Sequence, residues 1–225
     1  MADLESDAFV NRMLFTKTWE LDLNAARRAS RVSLAARLNS NGYPLPMNAT
    51  ANATANTPLL TIRTLNENDI GAFRALRVHA AADTPFAIVS TPEEEARSTA
   101  EDIIARVRET DQQAMFGAFN GETLIGIAGW RREQRVKWAH KSLIWGVFVD
   151  PAYRRAGIAR RLIETAIERA KESGVEQVQL SVCTQNSRAQ TLYLSLGFVI
   201  YGREMRALKI GDEYFDEDLM VLMLD

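Results

Sequence analysis

Val149-Asp150-Pro151-Ala152-Tyr153-Arg154-Arg155-Ala156-Gly157-Ile158-Ala159-Arg160-Arg161-Leu162 decides the fold. A run of strand formers, Leu143 to Val149, stops at Asp150-Pro151. Beyond the small residues of the turn, Ile158, Leu162, Ile163, Ala166, Ile167 and Ala170 recur at helical spacing, with Gly174 as C-cap. The pattern predicts a strand, a tight turn and a helix whose N-terminus is bare of bulky side chains. Such a terminus presents unsatisfied N–H groups and the positive end of the helix dipole, an anion site suited to a pyrophosphate. Arg154, Arg155 and Arg160 crowd a helix end that disfavours cations, which argues that an anion binds there; plain solvation of the helix start is the alternative. The spacing is neither GxxxxGK[ST] nor GxGxxG.

Working outward, Leu60 to Leu65 alternates apolar and polar residues as a half-buried strand does. A helix follows over 69–82, carrying Ile70, Phe73, Leu76 and Arg77 at helical spacing. Thr91-Pro-Glu-Glu94 is a capping box with proline at the first helical position, predicting a second helix to about Glu109. Strands over 113–119 and 123–131 join across Asn120-Gly121, a strong hairpin signal. After the central helix come a strand over 177–182, a short helix over 187–196 and a final hairpin turning at Gly211-Asp212. The order predicts an α+β domain in three layers around one twisted, mixed sheet.

Two further segments align with the opening stretch. Asn186-Ser-Arg-Ala189-Gln-Thr-Leu-Tyr193-Leu-Ser-Leu-Gly197-Phe198 lies one helix and one strand downstream, and Gly211 to Met220 forms the closing hairpin. Together with Arg154-x-x-Gly157-x-Ala159 they resemble the GCN5-related N-acetyltransferase (GNAT) family over about Leu60 to Asp225. The resemblance implies a three-layer α/β/α fold with a mixed, mostly antiparallel sheet splayed at the cofactor site. It also implies transfer of an acetyl group from acetyl-CoA to a primary amine of a small molecule or peptide, by direct attack in a ternary complex. By resemblance, the pyrophosphate sits on the backbone from Arg155 to Arg160, with Ala156, Gly157, Ile158 and Ala159 between them, and the pantetheine arm pairs with Phe148 and Val149. Asn186 bonds that arm or caps the helix it precedes.

Tyr193 matches the family's general acid for the departing thiolate; a phenol pKa of about 10 lies just above a thiol's of about 8.5. The alternative is a core aromatic beside Leu192 and Leu196. Leu143 to Val149 contains no carboxylate, so His140, just before that strand, is the candidate base, with Glu133 acting through water and solvent alone as alternatives. The resemblance implies that the acceptor enters between His79 to Val89 and the final hairpin. There Glu213, Asp216, Glu217 and Asp218 form a negative rim favouring cationic amines, or are simply solvated hairpin charges. An acyl-CoA-binding sensor with weak catalysis is the competing reading.

Composition bounds the rest. The 225 residues are 47% hydrophobic and 25% charged with a net charge of −2, which gives no reason to expect nucleic-acid binding. One cysteine and two histidines predict no disulfide and no metal. No apolar run approaches the roughly 20 residues that span a bilayer, so a cytoplasmic protein without membrane contact is expected; a homodimer stays open. Residues 1–58 form an N-terminal extension, a potential helix followed by the linker-like Asn48-Ala-Thr-Ala-Asn52-Ala-Thr-Ala-Asn56, which could dock a partner; residues 59–225 form the acetyltransferase-like domain.

Overall fold

A computed structural model describes residues 60–224; the extension over 1–58 lies outside the described residues. The chain runs β1 (Leu60–Thr64), α1 (Ile70–Asp83), α2 (Pro92–Arg97), α3 (Ala100–Val107), β2 (Gln113–Asn120), β3 (Thr123–Arg132) and β4 (Lys141–Val149). There follow α4 (Ile158–Glu172), β5 (Gln177–Cys183), α5 (Ser187–Ser195), β6 (Val199–Ile210) and β7 (Glu213–Met223). One seven-stranded sheet has the order β1-β2-β3-β4-β5-β7-β6. Among the described residues only β4 and β5 pair in parallel, because α4 carries the chain across the sheet between them.

Helices cover both faces. The apolar stripe of α4, from Ile158 to Ala170, packs with Tyr193 of α5 against Ala128, Trp130, Ile144, Leu180 and Met220. On the other face Phe73, Leu76 and Ala80 of α1 and Ile103 and Val107 of α3 pack against Met115, Ile127 and Phe148. This is the three-layer arrangement expected from the order of elements.

The helix expected from Thr91 to Glu109 is two helices. Thr99 accepts a bond from the Asp102 N–H while the Asp102 carboxylate accepts from the Thr99 N–H, so a second capping box restarts the chain after Ser98. Thr99-x-x-Asp102 is legible in the sequence as that signal. The break lets Glu95 of α2 turn inward. It meets Arg77 of α1 and accepts a 3.0 Å bond from Arg106 of α3, tying the three helices together through buried charge. Among the described residues no helix is long and apolar enough to cross a membrane.

Candidate active site

The two central strands start together and then part. β4 and β5 pair only from Lys141↔Gln177 to Leu143↔Gln179, although they run on to Val149 and Cys183. The cause lies on the other edge of β4. Phe148 pairs with Ile127 but Trp145 pairs with Gly129, so β4 holds one more residue than β3 between these pairs. Gly146 takes the left-handed turn this bulge needs, at φ 61°. Gly129 admits the indole beside it, since a Cβ there would lie 2.4 Å from Cε2 of Trp145. The bulge bends β4 away from β5 and opens a cavity of about 970 Å³.

One side of the cavity is built by the stretch after β4. The Asp150 carboxylate accepts a 2.8 Å bond from the Ala152 N–H and starts a single 3₁₀ turn, Pro151–Tyr153. Arg155 at φ 68° and Gly157 at φ 75° then swing the chain into α4 with no side-chain cap. The helix bonds begin with Arg161 N–H to the Gly157 carbonyl at 3.1 Å, so the N–H groups of Ile158, Ala159 and Arg160 precede the ladder. Space around Gly157 is open, so its requirement is conformational.

The arginines divide the work differently from the simple charge reading. Arg154 folds back onto the strand: its Nε donates to the Val149 carbonyl at 2.9 Å and its Nη2 pairs with Asp83 at the end of α1. Arg160 donates to Ser195 Oγ at 2.6 Å, linking α4 to the end of α5. Arg155 is exposed at the cavity's edge. Phe148, Val149, Arg154, Arg155, Gly157, Ile158, Ala159 and Arg160 all line the cavity, whereas Ala156 is exposed outside it.

α5 closes the same side. Asn186 Oδ1 accepts from the Ala189 N–H at 3.2 Å, so it caps the helix while also lining the cavity. Tyr193, only 7% exposed, lines the wall and packs edge-on against Phe198 at 5.9 Å. Burial pushes its phenol well above the ordinary value. Asp218 fixes this helix from the hairpin, accepting from Gln190 Nε2 at 2.6 Å and from Arg203 Nε at 2.7 Å.

His140 is not brought to the cavity. It precedes β4 at the end where the strands are still paired, and its carbonyl accepts from the N–H groups of Glu176 and Gln177. At about 3.3 Å per strand residue, the five residues to Trp145 put it roughly 16 Å from the start of the bulge, and Phe148 is farther still. A histidine before the strand reads as adjacent to the site only when the strand's direction is ignored.

The opposite side is assembled from remote segments: Arg77 of α1, Thr84 and Phe86 to Val89 after it, Arg131 of β3, Trp145 of β4 and Glu217 of β7. Phe86 stacks on Phe215 of β7 at 6.3 Å, bringing the loop after α1 onto the hairpin. The expectation of solvated hairpin charges fails at two positions, for Glu217 is 5% exposed and Asp218 is fully buried. The signal is that Glu217 alternates with the apolar Phe215 and Leu219 on one face of the strand, while Met220 follows Asp218 on the other.

A profile of the Acetyltransferase (GNAT) family matches residues 76–198, more than half of the chain, from the middle of α1 through α5. The chain belongs to that family. It is 31% identical over 150 residues to mycothiol acetyltransferase of Brachybacterium faecium, covering 65% of this chain and 43% of that protein. To N-alpha-acetyltransferase RimI of Mycobacterium tuberculosis it is 38% identical over 95 residues, 42% of this chain and 58% of RimI. The chain thus spans about half the length of these relatives. The structure of yncA from Salmonella typhimurium, solved with its cofactor acetyl-CoA, superposes with a TM-score of 0.65 at 21% identity, covering 74% of this chain and 94% of that one. That likeness is one of fold.

Proposed function

We propose that this chain transfers an acetyl group from acetyl-CoA to a primary amine of a small molecule or peptide, by direct attack while both substrates are bound. The observation that carries the reading is the split between β4 and β5, which opens beside the uncapped start of α4 with Tyr193 in its wall. The backbone edge of Gly146 to Val149, released from β5, can take an extended amide-bearing arm as an added strand. The N–H groups at the start of α4 receive the pyrophosphate. The thioester then lies at the bulge, between Tyr193 on one side and the acceptor wall on the other.

Attack by a neutral amine forms the C–N bond, and collapse breaks the C–S bond. Tyr193 gives its proton to the departing thiolate and regains one from solvent. Burial raises the proton affinity of the phenol, so the transfer requires the thiolate to be held at the Tyr193 hydroxyl inside the same cavity. The relatives named for mycothiol and for an alanine of ribosomal protein bS18 support a small-molecule or peptide amine as acceptor.

The test is acetyl-CoA binding by calorimetry, followed by thiol release against a panel of amines and peptides. Binding with turnover is expected; binding without turnover favours the sensor reading, and absence of binding refutes the assignment. Tyr193→Phe should lower kcat by about 10²-fold with acetyl-CoA affinity unchanged. Unaltered turnover returns Tyr193 to the core.

A further inference from the structure

Most charges around the cavity are already paired. Asp218 is held by Gln190 and Arg203, and Asp216 Oδ1 accepts from the Arg206 N–H at 2.8 Å. Arg77 lies against Glu95, Arg154 is held by Asp83 and the Val149 carbonyl, and Arg160 donates to Ser195 Oγ. Arg155 and Arg188 are exposed beside the starts of α4 and α5, on the cofactor side. Arg131 of β3 differs from all of these. It is half-buried and lines the acceptor wall, and among the described residues its guanidinium makes no hydrogen bond, ion pair or ring contact.

The sheet aims this side chain along the acceptor's path. Arg131 pairs with Leu143 of β4 as Gly129 pairs with Trp145, so it projects from the face that carries α1, one step along from the indole. At about 3.3 Å per strand residue, Gly146 of the bulge lies roughly 10 Å along β4 from Leu143. The flexible arginine stem can bridge part of that distance. Val89, 72% exposed, marks where this side of the cavity meets solvent. Glu217, the acid of the same wall, stands on β7, with β4 and β5 between it and β3. A guanidinium partly withdrawn from water, with Leu143 and Trp145 as cross-strand neighbours, attracts an anion more strongly than a solvated one. Its planar fork matches a carboxylate. A stem that merely covers Leu143 is the alternative. We infer that Arg131 binds a carboxylate of the acceptor, which is therefore an amino acid, its amine at the bulge and its carboxylate at the guanidinium. The inference rests on the transferase reading above and narrows its substrate class.

The experiment measures thiol release with alanine, 4-aminobutanoate and 6-aminohexanoate, each beside its own amide, for the parent chain, Arg131→Gln and Arg131→Lys. Acetyl-CoA calorimetry runs alongside. Acid and amide differ in charge at the point that Arg131 contacts. In the parent, kcat/KM for at least one acid should exceed that for its amide by about tenfold or more. In Arg131→Gln that ratio should fall to about one, through a higher KM on the acid with kcat little changed. Arg131→Lys, which keeps the charge without the fork, should recover part of the ratio. Acetyl-CoA should bind both variants within about twofold of the parent, since the residue lies off the cofactor wall. An equal loss on acids and amides, or a loss matched by weaker acetyl-CoA binding, makes Arg131 a packing residue and overturns the inference. A parent that acetylates amines but prefers no acid to its amide overturns it as well. If the parent binds no acetyl-CoA, or acetylates no amine at all, the transferase reading fails first and this inference falls with it.

Discussion

The two walls of the cavity are made in opposite ways. The wall expected to take the cofactor is nearly continuous in sequence: β4, the turn at Asp150, and the start of α4 supply it within Gly146 to Arg160, with α5 added. Its function is carried by backbone, through left-handed turns at Gly146, Arg155 and Gly157 and N–H groups that precede the helix ladder. The facing wall gathers side chains from α1, the segment after it, β3, β4 and β7. It is held by packing and buried charge. A backbone site tolerates most exchanges of side chain but not a change of conformation, whereas a side-chain site can be remodelled one residue at a time. The first should be similar across relatives with different acceptors, and the second should vary.

The sharpest way to break that contrast is Gly157→Glu. The position is at φ 75°, a region L side chains rarely adopt, and the new carboxylate would face the anion that the helix start is proposed to hold. Acetyl-CoA binding should fall below detection by calorimetry while the melting transition stays cooperative. Undiminished affinity would remove the anion site from α4.

Next in size is Glu95→Ala, which strikes the support of the facing wall. Glu95 is 2% exposed and Arg77 3%, so removing the acid strands a buried guanidinium beside the cavity. The cost should be about 3–5 kcal/mol, read as a lower urea midpoint with an unchanged slope. At temperatures where the variant is folded, acetyl-CoA affinity should hold while acceptor KM rises. If affinity for acetyl-CoA falls as far as that for the acceptor, the two walls are not separable. Glu95→Gln, which keeps hydrogen-bond acceptors toward Arg77 and Arg106, should cost less.

The same contrast explains what could be read from the chain. Local rules gave the hairpin at Asn120-Gly121, the strand–turn–helix after Leu143 and the cap at Asn186, because each is settled within a few residues. The break at Thr99 is local too, for Thr99-x-x-Asp102 is a second capping box inside the helix that the first one predicts. The facing wall was harder. The inward direction of Glu217 depends on β5 and β7 being neighbours, and the remoteness of His140 depends on which end of β4 opens. Arg154 looks like an anion ligand in the sequence, yet its partner Asp83 lies 71 residues away. Topology, not local pattern, fixes such positions.

That last pair crosses between the walls and gives the smallest expected effect. Asp83 ends α1 on the acceptor side, and Arg154 starts the cofactor loop. The Thr84 hydroxyl, and then Arg154, hold the Asp83 carboxyl below the usual carboxylate range. His79 stands near it and lies 3.9 Å from Asp150. A carboxyl with a lowered folded pKa contributes stability above its unfolded value, about 3.9, and loses it as pH falls through the lower folded value. This link should therefore be constant from neutral to mildly acid pH and weaken only in strong acid. Both partners are partly exposed, so Asp83→Asn should cost less than about 1 kcal/mol of stability. The informative readout is affinity. If the pair only braces the loop, acetyl-CoA should bind Asp83→Asn within about threefold of the parent, because Arg154 keeps its bond to the Val149 carbonyl. A much larger loss, appearing in the parent as well once acid has protonated Asp83, would mean that the acceptor wall sets the shape of the cofactor wall, and the division between them would have to be redrawn.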